Sequence, residues 1–205
     1  MSLKRRVVDG NGKIVPIANA MNIFTSFVQS LNRKFFDAYP EQPWIPFEAA
    51  RALRSKIQKE FTVWEVGSGY STIWLSNIAS HVTSVEASED WFKRLSDIIR
   101  SKEIGNIDLR YEWRGHLMAQ FPTDVRFDLL FVDGGPRRDC LLNGARCVRD
   151  GGFIYCDNTD DAQFWGGSFK ECLVLLNREI KKVEFFTDYV PAMVGVNEGA
   201  LIELK

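Results

Sequence analysis

Val63-Trp64-Glu65-Val66-Gly67-Ser68-Gly69-Tyr70-Ser71-Thr72 is a short apolar run that ends in an acid, followed by two glycines one residue apart and a helix-like segment. About 20 residues on, a second apolar run ends in Glu86, the spacing at which a ribose-binding carboxylate follows a nucleotide-binding turn. Strand, glycine turn, helix, strand is the layout of a nucleoside-binding half of a doubly wound α/β sheet.

Two residues bear on the nucleoside. A dinucleotide fingerprint places a third glycine where the helix packs against the strand, and this chain has Thr72 there. Glu65 repels a diphosphate lying on the turn and attracts a ligand that carries positive charge.

The alternation continues from Phe61. Strands are predicted over 61–66, 82–86, 107–112, 127–132, 152–156, 183–190 and 199–204. Helices are predicted over about 71–79, 89–102, 137–149 and 168–180. Ser88 before Glu89-Asp90 reads as an N-cap, and Asp150-Gly151-Gly152 as the stop between the third of these helices and the fifth strand. Alternating strands and helices give a parallel sheet with right-handed crossovers. Pro191 to Glu198 is too short for a crossover helix, so the last two strands are predicted to be antiparallel.

Glu65-Val66-Gly67-Ser68-Gly69, with the C-terminal hairpin, resembles class I S-adenosylmethionine (SAM)-dependent methyltransferases. The resemblance covers residues 61–205 as a SAM-binding domain, with 1–60 as an N-terminal arm and helical cover. It implies a Rossmann-like, seven-stranded, mostly parallel sheet with helices on both faces. Ligands on such sheets sit at the carboxyl ends of the strands. The cofactor-binding set is therefore Glu65, Gly67, Ser68, Gly69, Ser71, Thr72, Glu86, Gly115, His116 and Asp133. Glu86 would take the ribose hydroxyls and Glu65 the cationic methionine end. Gly67 and Gly69 would let the backbone approach the ligand. Gly115 or His116 would stand in for the acid that the family places near the adenine. Asp133 is the catalytic candidate.

Phe127–Asp133 and Gly151–Asn158 also resemble the corresponding segments of metal-dependent O-methyltransferases of the catechol and caffeoyl-CoA type. That resemblance implies a divalent ion, Mg2+, held by Asp133, Asp157 and Asn158; hard oxygen ligands suit it, and it would acidify an acceptor hydroxyl. The family's lysine after the first aspartate is absent: the run here is Gly134-Gly135-Pro136-Arg137-Arg138. Arg137 and Arg138, at a predicted helix start, read as solvated surface charge. Phe164–Ser168 and Trp44 read as aromatic loops able to cover an apolar substrate.

The charge is balanced, 26 basic residues against 27 acidic ones for a net of −1, so no basic field draws the chain to nucleic acid or anionic lipid. Lys4-Arg5-Arg6 reads as a solvated terminus. No apolar run approaches the ~20 residues of a spanning helix and no secretory segment is evident, so a cytoplasmic protein without a membrane partner is expected. The four cysteines fit no zinc spacing and read as small buried hydrophobes. Near the start, Met21, Phe24, Val28, Leu31 and Phe35 recur at helical steps and predict an amphipathic helix. Phe47, Ala50, Leu53 and Ile57 predict a second.

The resulting expectation is a SAM-dependent methyltransferase acting on a hydroxyl of a small-molecule acceptor. Its competitors are a SAM-binding relative without catalysis and an NAD-linked oxidoreductase, for which no Tyr-x-x-x-Lys relay stands at a suitable place.

Overall fold

A computed structural model describes residues 6–205; Lys4 and Arg5 of the basic cluster lie outside them. Seven strands form one sheet: β1 (Thr62–Val66), β2 (His81–Glu86), β3 (Ile107–Tyr111), β4 (Phe127–Val132), β5 (Val148–Cys156), β6 (Ile180–Val190) and β7 (Met193–Leu204). Their order is β3-β2-β1-β4-β5-β7-β6. β1 to β5 pair in parallel, and β7 runs antiparallel to both β5 and β6. The expected Rossmann-like, seven-stranded sheet with its antiparallel C-terminal hairpin is the one observed. Its order reverses between β1 and β4, which is where open α/β sheets bind ligands.

Strand alternation sorts side chains to two faces. Trp64, Val66, Leu130, Val132 and Ile154 face one side. There they pack with Cys140 and Leu141 of α5 (Arg137–Gly144), with Trp165 of α6 (Ala162–Trp165), and with Phe169 and Cys172 of α7 (Phe169–Leu175). Val63, Leu129, Phe131 and Tyr155 face the other side, against Ala49 and Leu53 of α2 (Phe47–Lys56) and Leu75 of α3 (Tyr70–Ser76). All four cysteines are free and buried. Among the described residues no helix is long and apolar enough to cross a membrane.

Several boundaries differ from expectation, and the largest among the strands is β7, which begins at Met193 and not at 199. The helix from Arg137 ends at Gly144, not near 149. β5 begins at Val148, and Asp150-Gly151-Gly152 lies inside it as a bulge: the partners of Phe127 and Leu129 jump from Val148 to Phe153. A bulge and a helix stop both need glycine's positive φ, which Gly151 adopts at 73°, so local sequence alone does not separate them. The helix from Phe169 ends at Leu175, short of the expected 180.

The largest departure is at α1 (Asn22–Phe36). The helix forms where its periodicity predicts, but its apolar stripe faces outward. Ser26 is fully buried and donates to the carbonyls of Val190 and Met193 at 2.8 and 2.9 Å. Asn22 donates to Asp188 at 2.8 Å, and Gln29 accepts from the Ala192 amide at 3.3 Å. The β6–β7 turn thus exposes backbone polar groups that need partners, and the polar side of α1 supplies them.

Candidate functional site

A cleft of about 380 Å³ opens over the carboxyl ends of β1, β2 and β4. It is lined by Gly67, Ser68, Gly69, Tyr70 and Ser71 after β1, by Glu86 and Ala87 after β2, by Asp133, Gly134 and Gly135 after β4, and by Gly115, Met118, Trp44 and Trp91. That volume lies within the range of small-ligand sites. A larger cavity of about 650 Å³ lies beside Thr159, Asp160 and Glu198, but no strand-end residue of β1, β2 or β4 reaches it.

The glycine turn is shaped first by its contact with another turn. Gly67 holds φ at +90°, and a β-carbon on it would stand 2.7 Å from the Gly134 amide nitrogen; one on Gly134 would stand 2.6 Å from the Gly67 α-carbon. The two strand-end turns pass backbone against backbone. Gly69 and Gly115 are different. A β-carbon at Gly69 meets nothing closer than 3.6 Å, and one at Gly115 meets nothing within 4 Å, so their open side belongs to the cleft.

Glu86 is held in place. Its Oε2 accepts from the Ser68 amide at 2.9 Å and its Oε1 from the Ser88 amide at 2.7 Å. Each carboxylate oxygen keeps lone-pair capacity for a further donor. Trp91 closes this corner by donating its indole N–H to the Ser68 carbonyl at 2.6 Å. Tyr39, Trp44 and Tyr70 stack with ring centroids 5.5–6.4 Å apart, and the Arg94 guanidinium lies 4.4 Å above the Tyr39 ring. The sequence shows Trp91 as part of a core stripe; that its indole reaches back to the turn depends on how α4 (Glu89–Ser101) crosses β2, which periodicity does not encode.

Glu65 stands behind the cleft, not in it. It is fully buried, and its Oε2 accepts from the hydroxyls of Thr72 and Ser84 at 2.5 Å each. The Thr72 hydroxyl also accepts from the Gly69 amide at 2.9 Å. Glu65 and Thr72 therefore brace the turn from below. Burial pushes the Glu65 carboxyl up to about 7, against the hydroxyls of Ser71, Ser84 and Thr72, which pull it down. The folded value exceeds the ordinary 4.5, so between those two pH values the folded chain holds a proton that the unfolded chain releases. Stability then falls as pH rises through that window, by about 3 kcal/mol in all. Glu65→Gln is expected to remove most of this slope. Urea unfolding at pH 5 and pH 8 measures it, and an equal pH difference in wild type and variant would contradict the assignment.

His116 is exposed and does not line the cleft; its neighbour Gly115 does. The short 3-10 turn Gly115–Ala119 directs Met118 inward, where it is 2% exposed, and leaves the imidazole in solvent.

The expected metal ligands meet a cation that belongs to the chain. Arg137, read from sequence as surface charge, is buried. Its Nη2 donates to Asp133 Oδ1 at 3.1 Å and to the Asp133 carbonyl at 3.0 Å, and its Nη1 donates to the Asp157 carbonyl at 2.6 Å. Nη1 lies 3.8 Å from Asp157 Oδ2, and the guanidinium carbon lies 4.6 Å from the Phe164 ring centre. Burial raises both carboxyls, with Arg137 opposing the rise in each. Asp157 also faces the charge of Asp133 and rises well above the usual carboxylate range. Asn158 sits at φ +53° and its carbonyl accepts from the Trp165 indole at 3.0 Å. Among the described residues no group of three or more His, Cys, Asp and Glu side chains is placed to hold a metal. Asp133, Asp157 and Asn158 do not fit a divalent ion, because the buried Arg137 guanidinium already compensates the Asp133 carboxylate and stands beside that of Asp157. Trp165, expected in a covering loop, is a core residue, while Phe164 is half exposed over Arg137.

No protein-family model matches the sequence, and no curated protein matches it. Solved structures do share its fold. The O-methyltransferase TomG from Streptomyces achromogenes, involved in tomaymycin synthesis and solved in complex with SAM, superposes with a TM-score of 0.62 at 15% identity, over 88% of this chain and 89% of its own. The N-methyltransferase NodS from Bradyrhizobium japonicum gives 0.57 at 16% identity, over 77% and 92%. A tRNA methyltransferase, TrmI, from Aquifex aeolicus gives 0.58 at 16% identity, over 82% and 70%. The chain has the fold of SAM-dependent methyltransferases whose acceptors are diverse.

Proposed function

We propose that this chain is a SAM-dependent methyltransferase that acts on a hydroxyl of a small-molecule acceptor. The observation that carries this reading is the cleft at the sheet's switch point, where a fixed carboxylate, Glu86, faces the open sides of Gly69 and Gly115. Vicinal ribose hydroxyls suit a carboxylate whose remaining lone pairs point into open space. The aromatic wall of Trp44, Tyr70 and Trp91 suits a flat base. Glu65 and Thr72 act indirectly, by fixing the turn. A dinucleotide is disfavoured, since Thr72 stands where the fingerprint has its third glycine and Asp133 adds negative charge to the cleft.

When bound, SAM supplies a methyl group already activated by its sulfonium. The chain's part is to hold the acceptor and manage its proton. Asp133 lines the cleft, and its raised carboxyl is suited to accept a hydroxyl proton. Arg137 fixes the orientation of that carboxylate and compensates its charge. No metal step enters this scheme.

Titration calorimetry with SAM, adenosylhomocysteine and NAD tests the reading. SAM and adenosylhomocysteine are expected to bind and NAD is not. Glu86→Ala is expected to weaken adenosylhomocysteine binding by about 100-fold, the loss of hydrogen bonds made to a charged group. Asp133→Ala is expected to keep that affinity and lose methyl transfer to whichever hydroxyl compounds the wild type methylates. Tight NAD binding, or Glu86→Ala at wild-type affinity, overturns the assignment.

A further inference from the structure

From α1 and the way it is docked, we infer that the outer face of this helix is the interface of a symmetric dimer, covered by the same helix of a second copy. Met21, Phe24, Val28, Leu31 and Phe35 are 71, 66, 52, 39 and 66% exposed, with Phe27 and Phe36 beside them at 51 and 76%. A surface helix ordinarily turns such a stripe toward the core. Here the opposite side, through Asn22, Ser26 and Gln29, is the docked one, and rotating α1 to bury its phenylalanines would leave the β6–β7 turn carbonyls without donors.

Three observations select a second copy as the occupant. The first is area. With about 200 Å² for a phenylalanine side chain and somewhat less for the others, the exposed fractions amount to roughly 800 Å² of apolar surface. That is the share one partner contributes to a standard interface, and above the size of patch that monomers ordinarily expose. The second is spacing. The steps of three, four, three and four residues form the seam by which one helix packs on another of its kind. The third is charge. An antiparallel pairing centred between Gln29 and Ser30 sets Phe24 of one copy against Phe35 of the other, and Val28 against Leu31. It brings Lys34 against Thr25, while Arg33 lies over the Trp44 ring of its own chain, so no like charges meet. Residues 22–36 contain no acid, and any other centre that keeps the seam in register shortens the overlap. The contact is isologous and closes on itself.

Sedimentation velocity of the full chain at about 50 µM, a concentration above the weakest affinity expected for such an area, tests this. The expected species has twice the 23.5 kDa chain mass. Val28→Glu and, separately, Phe35→Lys are expected to give monomers, with dissociation constants raised at least ~100-fold. Far-UV circular dichroism and melting temperature are expected to stay near wild type, because both side chains are solvated in the single chain. A monomeric wild type overturns the inference, as does a dimer that survives both substitutions. A monomer that binds vesicles of phosphatidylglycerol and phosphatidylcholine through this face also overturns it, in favour of a lipid surface. None of these readouts depends on the cofactor or the reaction.

Discussion

Arg137→Ala is expected to lower the free energy of unfolding by about 3–5 kcal/mol, the range for breaking a buried ion pair by removing one partner. The loss has three parts. Asp133 loses the cation that compensates it, the carbonyls of Asp133 and Asp157 lose their donors, and Phe164 loses the group it lies against. Arg137→Lys is expected to recover only part of the loss, because one ammonium cannot reproduce a planar fork that reaches two strand ends. Urea unfolding measures both variants, and a loss below about 1 kcal/mol in Arg137→Ala, the range of an exposed pair, would show that the guanidinium does not hold the two strand ends. Chelation with EDTA is expected to leave the wild-type melting temperature unchanged, since the cation beside these carboxylates is Arg137 itself.

Gly67→Ala is expected to cost about 2–6 kcal/mol. A non-glycine residue at φ +90° costs roughly 1–3 kcal/mol, and overpacking adds roughly 1–3 kcal/mol more, because backbone atoms of Asp133 and Gly134 stand 2.7–2.8 Å from the new carbon. Gly151→Ala is the internal comparison. Its φ is +73°, but a β-carbon there meets nothing within 4 Å, so only the conformational part, about 1 kcal/mol, applies. The difference between the two variants isolates the contact between turns. Equal losses would mean that the close approach of Gly67 and Gly134 carries no energy.

Much of this architecture can be read from single segments. The run from Val63 to Thr72, the acid at Glu86 and the short link after Val190 specify the strand–turn–helix alternation and the hairpin because each is local: a period, a turn residue, a length too short for a helix. What was not legible lies between segments. Gly67 reads as a cradle for ligand, yet its nearest neighbour is Gly134, more than sixty residues on. Glu65 reads as a group that meets ligand, but Thr72 and Ser84 take its oxygen from beneath the turn. Arg137 reads as solvated surface charge, although a helix start disfavours a cation. Only the convergence of the β4 and β5 ends supplies two carbonyls and a carboxylate to receive it. The stripe on α1 gives the helix and leaves its direction open, since periodicity finds an apolar face without saying what it faces.

The attachment of α1 through hydroxyl and amide groups separates two duties that share one helix in most small proteins. Its inner side answers to the hairpin, and its outer side answers to nothing else in the chain. Substitutions along that outer side can therefore drift, or be chosen, without disturbing the cleft, so the company this protein keeps can change while its chemistry stays the same.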